Sequence, residues 1–208
     1  MKQSSIKTVF FTRFRDASYT VRSGQTLIIG GLVSRAAKSP VECSIDLVGD
    51  GARVLMCYAY IGYAMDAYSV RISITHRAKG TSAYIYGRGV LSGAASSDIR
   101  GSARIEKNAH QADTYFSHHA LLLSDSAHST AVPSLEIEAD DVSARHAATT
   151  SPLDSNNLVY VRTRGLSASA ATVVLVNGFL SHDINRLPSA LARRFYRSFR
   201  LCKSLENT

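Results

Sequence analysis

From Tyr19 to about residue 152 the chain is a succession of short alternating segments: YTVRSGQTLIIGG, VECSIDLVGDGARVLMCYAYI, YSVRISITH, TSAYIYGRGVL, SARIEKNA, ALLLSDSA and SLEIEADDV. Each is rich in Val, Ile, Leu and Tyr and ends at Gly, Ser, Asp or Asn, the composition of strands bounded by turns. No stretch before about residue 153 repeats apolar residues at i, i+3, i+4 and i+7, so this region reads as all-β. Sandwich, barrel and β-helix all fit such a list. The small residues that recur at the turns, in GDGA, RGVLSGAASSDIRGSA, KNAHQA and SDSAHST, favour the β-helix. Coils of a solenoid stack on one another, so turn residues stay small or lie outside, and the spacing repeats loosely at roughly 20 residues.

The texture changes after residue 152. Asp154 is placed to cap a helix carrying Leu158 and Val161, with Gly165 as its stop, and Ser167 to cap a second helix that Gly178 ends. Leu187, Leu191, Phe195, Phe199 and Cys202 then recur at helical spacing. The organisation read from sequence is an N-terminal arm over residues 1–18, a β-helix core over 19–152 and a C-terminal helical segment over 153–208.

A length of 208 residues and a hydrophobic content of 45% suit one domain. The formal charge of +8 is concentrated in residues 187–205, where Arg193, Arg194, Arg197, Arg200 and Lys203 stand without an acid. That segment reads as an amphipathic helix with solvated arginines rather than a specific nucleic-acid or membrane site. Cys43, Cys57 and Cys202 lack the paired spacing of a zinc or redox motif. No apolar run approaches the ~20 residues that span a bilayer, and the first residues lack a signal peptide's pattern. A cytoplasmic protein with free thiols is expected.

Residues 134–150, SLEIEADDVSARHAATT, bring an alternating strand to Asp140 and Asp141 and resume with Val142, Ala144 and His146. A period of two puts His146 on the face of the valine and the alanine. It reads either as a packed strand histidine or as a metal ligand, since a neutral imidazole ligates iron and titrates near neutrality. Asp140 and Asp141 read as a tight turn, because catalytic carboxylates must flank a bond from both sides. His118 and His119 are adjacent, so a strand sends them to opposite faces, and with His128 they read as surface or turn residues. YIYGRGVLSG lacks the lysine and hydroxyl of a phosphate loop and reads as a turn between strands.

The order GDGARVLM, ISITHRAKGTSAYIYGRGVLSG, LLLS, P-x-LEI-x-ADDV, H-x-AT, RG and GF resembles the core domain of the SufB/SufD family, scaffolds of SUF iron–sulfur cluster assembly. The resemblance runs from about Val21 to Leu180. It implies a right-handed parallel β-helix with a C-terminal α-helical segment and a non-enzymatic scaffold role. The implied partners are a SufC-type ABC ATPase at the helical region and a SufB-like subunit, or a second copy of the chain, at the β-helix. The implied cargo is a transient iron–sulfur cluster held only in the complex. A flavin has been linked to such complexes, and no residue here marks a place for one.

Carried over residue by residue, the family's histidine is His146. The SufD-type cysteine two residues earlier is Ala144, the SufB-type His-Glu-Ala is His146-Ala147-Ala148, and the SufB cysteine of the preceding strand falls on Ala127. The chain therefore reads as SufD-like, with His146 as candidate ligand at a subunit interface and as a packed strand residue in the isolated chain. Leu158, Tyr160, Arg162, Arg164, Gly165 and Phe179 mark the candidate ATPase contact. The acids usual beside that helix are replaced by Ser155, Asn156 and Asn157, and by Ser167-Ala168-Ser169. The alternative is a degenerate β-helix that binds partners without a cluster role. A carbohydrate-active enzyme is disfavoured by only 16 acids and no Trp.

Overall fold

The computed structural model describes residues 5–33 and 40–200. Cys202 and Lys203 lie outside the described residues, as do the side chains of Phe199 and Arg200. Eleven strands precede three helices: β1 (Ser5–Phe11), β2 (Ala17–Val21), β3 (Gln25–Val33), β4 (Val41–Leu47), β5 (Arg53–Gly62), β6 (Ala67–His76), β7 (Ser82–Leu91), β8 (Ser96–Ile105), β9 (Asp113–Leu122), β10 (His128–Ile137), β11 (Ser143–Pro152), then α1 (Ser155–Arg162), α2 (Ala168–Ser181) and α3 (Ser189–Arg200). Odd strands form one sheet in the order β1-β3-β5-β7-β9-β11, and even strands a second in the order β10-β8-β6-β4-β2. Neighbours pair in parallel, so the chain winds as a β-solenoid with one strand per sheet in each coil.

Arg53 pairs with Ser82, Ser82 with Asp113 and Asp113 with Ser143, so one coil takes about 30 residues rather than the ~20 expected. Two strands of up to ten residues and two turns fill each coil, and the shorter spacing mistook single strand-turn units for a coil. Parity along each strand selects what faces inside. On β6 these are Tyr68, Val70, Ile72, Ile74 and His76; on β8 they include Ile99, Ala103 and Ile105. Register then stacks inward residues into rows such as Leu27–Val54–Ala83–Thr114 and Ile29–Met56–Ile85–Phe116.

One row alternates in size: Phe11–Gly31–Tyr58–Gly87–His118. Coils lie about 4.8 Å apart, so a ring at one level leans over the next. A Cβ at Gly31 would meet Phe11 Cζ at 2.4 Å, and one at Gly87 would meet Tyr58 Oη at 2.4 Å. Gly89 serves Tyr60 in the same way, with Tyr60 Cζ at 2.2 Å. Gly87 and Gly89 are thus mid-strand residues of β7, not the turn expected from YIYGRGVLSG. Their missing side chains are space for the tyrosines of the coil before.

Residues 5–11, expected as part of an arm, pair with β3 along their whole length. Val9 and Phe11 lean on the solenoid interior and Phe10 on the opposite apolar layer, so both faces of β1 have packing partners. Phe14 closes that end of the interior, its ring 5.9 Å from Tyr58 and 6.2 Å from Tyr60 and Tyr68.

The outer face of the odd-strand sheet is covered by the helical segment. Ile28, Leu32, Cys57, Ala59, Ile61, Val90 and Leu121 meet Val176, Leu180, Ile184, Leu187, Leu191 and Phe195 there. This layer makes Cys57 inaccessible, whereas Cys43 is buried inside the solenoid; burial pushes the two thiols up to about 12 and about 11. Asp154 caps α1 by accepting from the Asn156 N–H at 2.8 Å. Ser167 caps α2 by accepting from the Ala170 N–H at 3.2 Å. Gly165 stops α1 at φ +91°, a conformation an L side chain resists. The helix expected to end at Gly178 continues to Ser181, because Leu180 still contributes to the apolar layer.

These glycines give opposite predictions. Gly87→Ala forces a methyl into Tyr58 and is expected to cost about 1–3 kcal/mol in urea unfolding. Gly178→Ala meets nothing within 4 Å and is expected to gain up to about 1 kcal/mol, as an Ala for Gly exchange within a helix does. A neutral Gly87→Ala would refute the interleaved packing.

Candidate functional site: the open end of the solenoid and the helical pair

The solenoid ends in an uncovered coil. β10 pairs with β8 and β11 with β9, and among the described residues neither has a strand on its other side. The inward rows continue onto this coil through Ala131, Pro133, Leu135 and Ile137 on β10, and Ala144, His146, Ala148 and Thr150 on β11. Among the described residues no further coil buries them. Ile137 is 47% exposed and His146 is exposed. The expectation of a packed His146 therefore fails: it extends the row above buried Phe116, at the level where the stack stops. Two strand edges and an apolar inner face are presented together, a template for pairing with another chain.

The residues aligned with the family's ligands fall around this end. Ala144 is half-buried beside the turn, and Ala127 is buried before β10. Asp140 and Asp141 lie in a bend between β10 and β11, and the Gln111 N–H of the coil below donates to the Asp141 carbonyl at 2.6 Å. Among the described residues no three His, Cys, Asp or Glu side chains are grouped to hold a metal ion. A cluster at His146 would need ligands from a second chain.

The other histidines separate as strand parity requires, but not to the places expected. His119 is half-buried on the outer face, its Nδ1 2.7 Å from Thr149 Oγ1, and His128 is exposed. His118, expected at the surface, is fully buried inside the solenoid. Its Nδ1 lies 3.2 Å from Tyr58 Oη and its Nε2 3.1 Å from Tyr60 Oη. Tyr60 donates its proton to Ser97 Oγ at 2.9 Å, so it accepts from His118 Nε2–H, which leaves Nδ1 to accept from Tyr58. Ser97 continues the chain to Ser129 of the terminal coil at 2.9 Å. Burial pushes the His118 pKa down to about 3, with His119 and Arg88 adding to the effect. His76 is lowered to about 4 by burial, with Nδ1 2.8 Å from Thr81 Oγ1. No local pattern marks Tyr58 and Tyr60 as partners of a histidine some 60 residues on; the glycines of β7 are the only trace.

The helical pair is the second exposed apolar surface. α1 buries no residue, and α1 and α2 meet at a bend of 118°. Val159 (57% exposed), Tyr160 (60%), Leu166 (39%) and Val174 (49%) remain open to solvent. Of the residues marked in the sequence, Tyr160 lies on this surface, with Arg164 over its ring at 5.2 Å. Leu158 is half-buried, and Arg162 and Gly165 are exposed. Phe179 is not part of it: the ring is half-buried against the sheet, with the Arg88 guanidinium 4.8 Å away. Val159, Leu166 and Val174 were missed, although LVYVRTRGLSASAATVVLV holds more apolar residues than one buried face needs. Among the described residues no single helix is long and apolar enough to cross a membrane.

A family model described as the SUF system FeS cluster assembly, SufBD core domain, matches residues 12–179. The chain belongs to the SufBD core-domain family. The match begins just after β1 and takes in β2 to β11, α1 and α2 as far as Phe179. SufD of Bacillus subtilis is 33% identical over 147 residues, which cover 71% of this chain and 34% of the relative. SufBD family proteins of Mycobacterium leprae and Synechocystis are 32% identical over 126 residues and 28% over 117, covering 61% and 56% of this chain. Those stretches are 14% and 24% of the relatives. The chain thus spans about a third or less of these relatives. The SufBD core resemblance read from the motifs is borne out, as is the β-solenoid with its C-terminal helices.

The buried histidines set a pH dependence. A depressed folded pKa means that the unfolded chain binds more protons between that value and the ordinary 6.5. Stability is then full above about pH 6.5 and falls as pH drops towards 4 and 3. Urea midpoints are expected to fall from pH 7 to pH 5. His118→Gln, which keeps a donor and an acceptor without a titrating ring, should flatten that slope.

Proposed function

We propose that the chain is a non-enzymatic, SufD-like scaffold component of a cytoplasmic SUF-type iron–sulfur cluster assembly complex. The observation that carries this reading is the open terminal coil with His146 exposed on it. A single scaffold partner, a SufB-like subunit or a second copy of the chain, adds its own strands to the β10 and β11 edges. The histidine then faces the partner, and the missing cluster ligands come from that side. An iron–sulfur cluster is the cargo of this assembly, and His146 contributes an imidazole to holding iron there. The exposed face of Val159, Tyr160, Leu166 and Val174 is where a SufC-type ATPase docks, a helical surface of aromatic and aliphatic anchors beside Arg164.

A second reading, a partner-binding β-helix with no cluster role, is favoured by the alanines at positions 144, 147 and 127, where the family carries cysteines and a glutamate. Light scattering after size exclusion separates the two, using the chain alone and mixed with a SufC-type ATPase from the same genome. The first reading expects a stable mixed complex that Tyr160→Glu or Val174→Glu disrupts without loss of thermal stability. In that complex His146→Ala should leave binding intact and lower anaerobic cluster yield by about tenfold or more, as loss of a ligand or its support does. An unchanged yield removes the role of His146, and a chain that ignores the ATPase leaves the second reading.

A further inference from the structure

Asp183 sits just past the C-terminal end of α2, where the helix dipole disfavours an acid. It is nonetheless 6% exposed. Its Oδ2 accepts from Arg88 Nε at 2.7 Å and its Oδ1 from Arg186 Nε at 3.1 Å. Burial alone pushes this carboxyl up, but the two guanidinium hydrogen bonds outweigh it and hold the pKa below the usual value. Arg88 projects from β7 and is itself largely buried, its side chain 13% exposed. Both guanidiniums are also capped by rings, Arg88 by Phe179 at 4.8 Å and Arg186 by Tyr86 at 4.3 Å. The Asp183 carbonyl lies 3.5 Å from Cys57 Sγ on β5, so this junction forms a roof over that thiol.

The junction governs more than itself. α1 buries nothing and is carried by α2, while α3 is anchored separately through Leu191 and Phe195. The orientation of the exposed α1–α2 face therefore depends on α2, whose only charged tie to the sheet among the described residues is at its Asp183 end. We propose that Arg88 and Asp183 are positioning residues: they latch α2 to β7 and so fix the angle at which the α1–α2 surface is offered to its partner. This inference rests on the reading of that surface as a docking site. An ion pair suits such a latch because its geometry is directional, whereas apolar contacts slide, and because a buried pair that loses one partner leaves an uncompensated charge.

Cys57 reports the latch without any partner. In native-state labelling of the full chain with a maleimide, resolved by peptide mass mapping, wild-type Cys43 and Cys57 are both expected to be protected. Asp183→Asn should raise Cys57 labelling by at least about tenfold through local opening while Cys43, inside the solenoid, stays protected. Arg88→Lys, which keeps the charge but loses the Nε hydrogen bond and the stack on Phe179, should label Cys57 at a level between wild type and Asp183→Asn. Equal rises at both cysteines would make the pair a general stability element and overturn the proposal, as would an unchanged Cys57. If Cys57 opens selectively in Asp183→Asn while the wild-type chain binds no ATPase, the latch stands and the docking reading fails. If wild type binds and Asp183→Asn weakens binding at unchanged Cys57 labelling, the docking reading stands and the latch fails.

Discussion

Everything in this molecule hangs on a spacing: parallel coils held about 4.8 Å apart by backbone hydrogen bonds, with side chains stacked in register between two sheets. That spacing is too small for a ring at every level unless the rings lie flat on each other. The row Phe11–Gly31–Tyr58–Gly87–His118 resolves the conflict by alternating large and absent side chains. Once Tyr58 leans over Gly87 its hydroxyl is buried, and a buried hydroxyl requires a partner. His118 supplies one, and its second nitrogen takes Tyr60. The polar chain inside the solenoid is thus a consequence of packing, and the neutral state of His118 a consequence of its burial.

The same stacking explains why the open strand edges lie at the ends of the winding. An interior coil satisfies its backbone on both sides, so a solenoid exposes unpaired strand edges only where the winding stops. β10 and β11 are such edges, and they carry the histidine that the family motif singles out. The helical segment answers the second demand of the fold by covering the apolar outer face of β3, β5, β7 and β9. Having covered it, the segment has apolar residues left over on α1 and α2. The terminal coil and the helical pair are thus both left exposed, and the Arg88–Asp183 pair lies between the sheet and the helices that carry the second of them.

Much of this was legible in the chain itself. Period-two alternation bounded by small turn residues excluded helices before residue 153, and Asp154, Gly165 and Ser167 marked helix ends through local hydrogen bonding and a positive φ. What misled was any feature whose meaning depends on the neighbouring coil. Gly87 and Gly89 look like a turn because glycine usually marks one. They are strand residues because a tyrosine from another coil, 29 residues earlier in the register, fills their space. Gly178 looks like a helix stop and is passed over because Leu180 still has an apolar layer to join.

The sequence by itself determined the class of the fold, its division into a β body and a helical end, and the motif that places the chain among SufBD cores. These depend on periodicity, capping and short-range spacing, which are written locally. Only the tertiary structure decided which histidine is buried and which is open. His118 and His146 both sit on inward positions of neighbouring strands in one sheet, two residues apart in register, and local pattern cannot tell which is buried. The difference is that one has a coil stacked above it and the other does not, and burial of that kind is a property of the winding as a whole.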